Sequence, residues 1–133
     1  MTKVTFVTFY NDFSVGVNVL SSLLVEGGKD VSVIFFKLPS KRPIEWFTKD
    51  VTNYMEVVDP YGNIIGGNAQ TNRWTETETG LLVDLLEDLG PDVVCFSSRT
   101  MDNELAEDVY PRVRERIDAV TLAGGFGPSL SPE

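Results

Sequence analysis

The 133 residues are predicted to fold as one α/β domain, a doubly wound, Rossmann-like parallel sheet in a three-layer α/β/α arrangement. Three observations point there. Short runs rich in β-branched and aromatic residues recur at Lys3 to Phe9, Asp30 to Phe36, Asp92 to Phe96 and Ala119 to Ala123; runs apolar on both parities suit strands covered on both faces. Segments with helical spacing separate them. Glycine-rich or short polar breaks follow the strand runs, which is where open parallel sheets bind ligands.

The first run, Lys-Val-Thr-Phe-Val-Thr-Phe, breaks at Tyr10-Asn11-Asp12-Phe13, and Ser14 is a good N-cap for the first helix. Gly16, Val19, Leu20, Leu23 and Val25 are expected to track one side of that helix, and Gly27-Gly28 end it. Asp30 to Phe36 completes a right-handed βαβ unit. From Lys37 to about Thr77 the pattern dissolves into prolines, glycines and asparagines, with a short helix expected over Pro43 to Lys49 and a hairpin around Pro60-Tyr61-Gly62-Asn63. Such a stretch inside a compact domain reads as a lid or an insertion. Regular pattern returns at Glu78 to Leu89, with a stripe of Leu81, Leu82, Leu85, Leu86 and Leu89 and a stop at Gly90-Pro91. After the third strand, Asn103 to Ile117 is helical, with Pro111 expected to split or kink it. The fourth strand has no covering helix before Pro132-Glu133, so the sheet reads as cut short.

Composition narrows the functions. A chain 42% hydrophobic and 23% charged buries a core and is not disordered. A net charge of −9, with Lys37, Lys41 and Arg42 close together among otherwise outnumbered cations, opposes nucleic acid and anionic membranes. No apolar run approaches the ~20 residues of a membrane span. Met1-Thr-Lys-Val leads straight into a strand rather than a signal peptide, so the expected address is cytoplasmic. Cys95, alone in the chain, excludes an internal disulfide and a cysteine-ligated cluster, and its mid-strand position reads as a buried, inert thiol. The chain has no histidine, which removes histidine general bases and histidine metal ligands.

Three strand-end loops carry site-like residues: Asn11 to Gly16, Ser97 to Thr100 and Gly124 to Ser129. Each offers short polar groups or bare backbone, and none offers an acid and base pair, so the loops suit holding a ligand. A dinucleotide fingerprint fails because Pro128 follows Gly125-x-Gly127 where a helix should begin. A Walker loop is absent, a receiver domain needs an aspartate where Ser97 and Ser98 stand, and Tyr10 to Phe13 is too bulky for a flavodoxin phosphate loop.

Three segments together resemble the N-terminal cobalamin (B12)-binding domain of radical S-adenosylmethionine enzymes: Ser14 to Val31, Gly90 to Arg99, and Leu122-Ala-Gly-Gly-Phe-Gly-Pro-Ser-Leu-Ser-Pro-Glu. The resemblance spans residues 1–133 apart from the insertion at about 37–77. In the wider cobalamin-domain pattern, DxHxxG follows the first strand, SxL the third and GG the fourth. Asn11 then stands at the Asp position, Phe13 at the His and Gly16 at the Gly, while Ser97 matches the Ser, Arg99 stands at the Leu, and Gly124 and Gly125 match the Gly pair.

The resemblance implies cobalamin held base-off without a histidine lower ligand, with the nucleotide tail against Gly124 and Gly125. It also implies hydroxyl bonds from Ser97 and Ser98, and Phe13 under the corrin. Ser14, Arg99, Phe126 and Gly127 complete the implied cofactor-binding set. S-adenosylmethionine and a 4Fe-4S cluster would belong to a C-terminal radical domain acting with this one, most commonly in methyl transfer. The chain by itself should bind and not catalyse. Within the insertion, Trp46, Tyr54 and Trp74 are candidates to cover a corrin face. Two other readings stand beside this one: a regulatory or interaction domain with a degenerate pocket, and a domain binding a nucleotide-sugar-type ligand at the glycine edge.

Overall fold

The structure, a computed structural model, describes residues 1–11, 14–37, 54–58, 60–62, 64–69, 74–99 and 102–125, with only the backbone given for 54–58 and 64–69. The elements run β1 (Lys3–Phe9), α1 (Val15–Glu26), β2 (Asp30–Phe36), β3 (Tyr54–Val58), β4 (Ile64–Ala69), α2 (Glu76–Leu89), β5 (Val93–Ser97), α3 (Asn103–Arg116) and β6 (Val120–Gly124). Four of the strands form one all-parallel sheet in the order β2-β1-β5-β6. The fold is therefore the doubly wound α/β sheet expected. The chain leaves β1 toward β2 on one side and returns to β5 on the other, so the topological switch point lies between β1 and β5.

Local chemistry sets the helix ends. Ser14 Oγ accepts from Val17 N at the start of α1, and Gly28, at φ +77°, supplies the left-handed turn after it. At α2, Thr75 and Glu78 form a reciprocal capping box, which begins the helix two residues before the expected Glu78. Gly90 ends α2 in the left-handed region, its N–H bonded to the carbonyls of Leu86 and Glu87. In α3, Pro111 neither splits nor interrupts the helix. Both Pro111 and Glu107 lie on the exposed side, so water serves the carbonyl that the missing N–H leaves behind.

The sheet's two faces are packed unequally. On the α2/α3 side, Val7, Phe9, Val94 and Phe96 of the sheet meet Leu82, Val83 and Leu86 of α2 and Leu105, Val109 and Val113 of α3, all buried. Phe9 and Phe96 stack at 5.9 Å, and Tyr110 leans on Phe96 at 4.7 Å. On the α1 side the fully buried cluster is Val4, Phe6 and Val17, with Leu24, Val31, Val33, Val93 and Cys95 half-buried around it.

Both helical stripes expected from spacing need correction. α1 turns Val17 and Leu24 to the sheet, while Val19, Leu20, Leu23 and Val25 are exposed. The cause is that Val-Gly-Val-Asn-Val-Leu-Ser-Ser-Leu-Leu-Val is apolar nearly all round, so periodicity does not select a face. In α2, Leu82 and Leu86 are buried with Thr79 and Val83, but Leu81 and Leu85 are exposed.

In the region expected to be an insertion, β3 and β4 pair antiparallel as a separate ribbon around the turn at 60–62, in line with the expected hairpin. The helix expected over Pro43 to Lys49 lies outside the described residues. Lys37, left-handed at φ 60°, closes β2 and reaches Glu78 Oε1 at 2.8 Å, tying the end of β2 to the start of α2. Among the described residues no helix is long and apolar enough to cross a membrane.

Candidate functional site

Strand register assembles the site. Phe6, Cys95 and Leu122 form one row across β1, β5 and β6, and Thr8, Ser97 and Gly124 form the next row toward the carboxyl ends. Side chains two apart along a strand share a face, and Phe6 and Cys95 belong to the α1-side cluster. All of these but Thr8, with the first turns of α1 and residues just after β1, β5 and β6, line a cleft of about 660 Å³ at the switch point. That volume lies within the ~300–1,000 Å³ range of small-molecule sites.

Eight of the residues singled out from sequence line this cleft: Asn11, Ser14, Gly16, Ser97, Ser98, Arg99, Gly124 and Gly125. Phe13, Phe126 and Gly127 lie outside the described residues. The lining residues have distinct roles. A Cβ placed on Gly16 or Gly124 would meet no neighbouring atom of the described residues within 4 Å, so these two leave room beside the cleft. Gly125 is different. At φ +97° its Cβ would stand 2.5 Å from the Ser98 carbonyl oxygen, so this glycine is required by the fold itself.

The two serines also separate. Strand parity carries Ser98, with Val94 and Phe96, to the α2/α3 face, where its hydroxyl and that of Tyr110 lie 3.2 Å apart. The expectation that Ser98 offers a hydroxyl to a ligand is therefore corrected: its hydroxyl is engaged on the opposite side, and its backbone lines the cleft. Ser97, on the same parity as Cys95, has no side-chain hydrogen bond to another described residue. Ser14 is occupied in capping α1.

Arg99 shapes the mouth. Its Nη2 donates to the carbonyls of Tyr10 at 3.1 Å and Phe9 at 3.4 Å and to Asp102 Oδ1 at 3.3 Å, while Nε donates to Asp102 Oδ2 at 3.2 Å. The Arg99 N–H also donates to that carboxylate, at 2.8 Å. The Asp102 side chain is fully buried, so its charge is matched inside the fold by a guanidinium that stays partly solvated. Tyr10 is buried and left-handed at φ 47°, a conformation that costs a non-glycine residue about 1–2 kcal/mol. Its surroundings hold it: Tyr10 N donates to Phe36 O, Arg99 takes its carbonyl, and Thr8 Oγ1 donates to the Asn11 carbonyl just beyond.

Sequence reasoning missed the apolar part of the lining, namely Phe6, Val15, Leu20, Cys95 and Leu122. It also missed Asp102, although an acid three residues after Arg99 at a helix start was a usable signal. Cys95 is half-buried with a raised thiol pKa, because burial opposes the thiolate, and besides packing against the α1-side core it lines the cleft. Trp74 does not cover the cleft: it packs on the α2/α3 core and donates its indole N–H to Asp108 Oδ2 at 3.1 Å. The side chains of Trp46 and Tyr54 lie outside the described residues.

Electrostatically the cleft is near neutral. Among its described lining residues Arg99 carries the only formal charge, and Asp102 balances it. No described cluster of His, Cys, Asp or Glu is arranged to hold a metal ion. No family model matches this chain, and neither a curated protein nor a solved structure matches it.

Proposed function

We propose that this chain is a corrinoid-binding module, taking cobalamin with its nucleotide tail in the cleft beside α1 and its corrin over the strand ends. The observation that carries the reading is the open space at Gly16 and Gly124, at opposite elements of a largely apolar, near-neutral cleft at the switch point. No contact with the described residues requires either glycine. Each stands where alanine or a β-branched residue would serve a helix or strand better, so what their missing side chains provide is room for a ligand.

The neutral lining separates this reading from the nucleotide-sugar alternative. A diphosphate would place two negative charges in a chain of net charge −9, beside a guanidinium already matched by a buried carboxylate. Cobalamin's one phosphodiester is offset by the positive charge of its cobalt–corrin unit. Seating the nucleotide tail in the cleft would take the cofactor's own base away from the cobalt, and with no histidine in the chain no imidazole of this chain would replace it. Ser97, Asn11 and the Gly124 backbone are the groups that would hold the ligand, and Phe6, Leu20 and Leu122 would exclude water from it. When bound, the corrinoid supplies a cobalt centre able to carry an alkyl group. Delivery of that group in a radical S-adenosylmethionine enzyme follows from the sequence resemblance.

The test is to mix the purified chain with hydroxocobalamin, desalt, and record the visible spectrum of the protein fraction. Retained corrin with a base-off spectrum is expected. A colourless fraction from a folded chain refutes the reading, and stabilisation by a nucleotide-sugar in its place would establish the alternative.

A further inference from the structure

We infer that Arg99, backed by Asp102, is the positioning residue of the cleft: it sets the shape of the mouth by locking the turn after β1 to the turn after β5. This rests on the cleft and not on the identity of its ligand.

Three observations carry it. Arg99 belongs to the β5–α3 turn, yet its Nη2 donates to both Phe9 O and Tyr10 O, the last carbonyls of β1 and its turn. It therefore bridges the β5–α3 turn to the end of β1, next to the lining residue Asn11, across some ninety residues of sequence. Asp102 holds the guanidinium through both carboxylate oxygens and holds the Arg99 backbone N–H as well, so side chain and turn are fixed as one unit. The residue that Arg99 clamps is in a conformation that a tyrosine does not adopt unaided. Tyr10 at φ 47° directs the chain into Asn11, so releasing it moves Asn11, on the polar edge of the mouth, relative to Ser97. Lysine keeps the charge but has a single ammonium that cannot span two carbonyls and a carboxylate in the same fork.

Cys95 provides a readout from inside the cleft that needs no ligand. The experiment measures its rate of modification by a neutral disulfide reagent in the wild-type chain, Arg99→Gln, Arg99→Lys and Asp102→Asn. Val113→Ala, in the α3 core and remote from the mouth, serves as a control for loss of stability. Each variant's thermal midpoint is recorded alongside. The expected result is that Arg99→Gln raises the Cys95 rate at least fivefold and Arg99→Lys does not restore it, with a rise well above that of Val113→Ala at a comparable midpoint. Equal rates in the wild type and a folded Arg99→Gln, or a rise matched by the control, would overturn the inference. If Arg99→Gln does not fold, Arg99→Lys decides by the same comparison.

Cyanocobalamin affinity, measured in parallel, separates this inference from the proposed function. Binding to the wild type with at least tenfold weakening in Arg99→Gln supports both. A faster Cys95 in Arg99→Gln with no binding to any variant upholds the positioning role and rejects the corrinoid. Undiminished binding in Arg99→Gln with an unchanged Cys95 rate keeps the corrinoid and rejects the positioning role.

Discussion

The two faces of the sheet carry similar side chains and bury them to different degrees. On the α2/α3 face, Phe9, Val94, Leu86, Val109 and Val113 are essentially sealed from water, and aromatic rings stack across β1, β5 and α3. On the α1 face, Leu20 and Leu122 remain 52% and 53% exposed, although they line the same cleft. Apolar burial is worth about 25 cal/mol per Å². The first face therefore holds the domain together, whereas the second leaves apolar surface exposed in the cleft. The division also explains why a proposed binding edge coexists with a well-packed fold: the residues that stabilise and the residues that receive point in opposite directions from the same strands.

Truncating one leucine on each face gives the widest contrast. Leu86→Ala should cost about 2–5 kcal/mol in a denaturant melt, a large share of a domain's ~5–15 kcal/mol. Leu23→Ala on α1 should stay within about 0.5 kcal/mol. Similar losses at both positions would erase the distinction between the faces.

A smaller contrast separates two adjacent glycines. Gly125→Ala should destabilise by about 1–3 kcal/mol, because its φ and the nearby Ser98 carbonyl both exclude a Cβ. Gly124→Val should leave the thermal midpoint unchanged or slightly higher while weakening cobalamin binding at least tenfold, since its Cβ enters the cleft and meets none of the described residues. Melts and binding titrations of the two variants check this directly.

The last two effects concern titration. Burial raises the Cys95 pKa, so its modification rate at neutral pH should be below that of an exposed thiol and should climb with pH through a midpoint above the ordinary 9.0. Glu78 is held below its ordinary 4.5, first by the Lys37 hydrogen bond. A depressed carboxyl contributes stability that is complete above its unfolded pKa and is lost as pH falls through its folded one. The pair is partly exposed, so Glu78→Gln should remove only a few tenths of a kcal/mol at pH 7 and less at pH 3, as measured by melts at both values.

The four strands of the parallel sheet were legible because each is a short apolar run, mostly β-branched or aromatic, and the ends of α1 and the end of α2 because serine and glycine stand there; the Thr75 cap that starts α2 was not foreseen. The hairpin in the middle of the chain was legible from its turn residues. The facing of α1 was not, because a helix apolar nearly all round carries no directional signal. Most of the cleft's polar residues were foreseen from their place after strands, but how they divide was not. Ser98 and Ser97 differ only by strand parity, and Gly125 and Gly124 only by a φ angle and a neighbouring carbonyl. The Arg99 bridge depends on a contact between positions far apart in sequence, which no local pattern contains.

The decisive measurement is the rate of Cys95 modification with and without cyanocobalamin. If the corrinoid lies in the cleft beside α1, the rate in the wild-type chain should fall in proportion to occupancy, and Gly124→Val should lose that protection at an unchanged thermal midpoint. A Cys95 rate indifferent to saturating cyanocobalamin in the folded wild type would contradict the assignment of this face to a corrinoid.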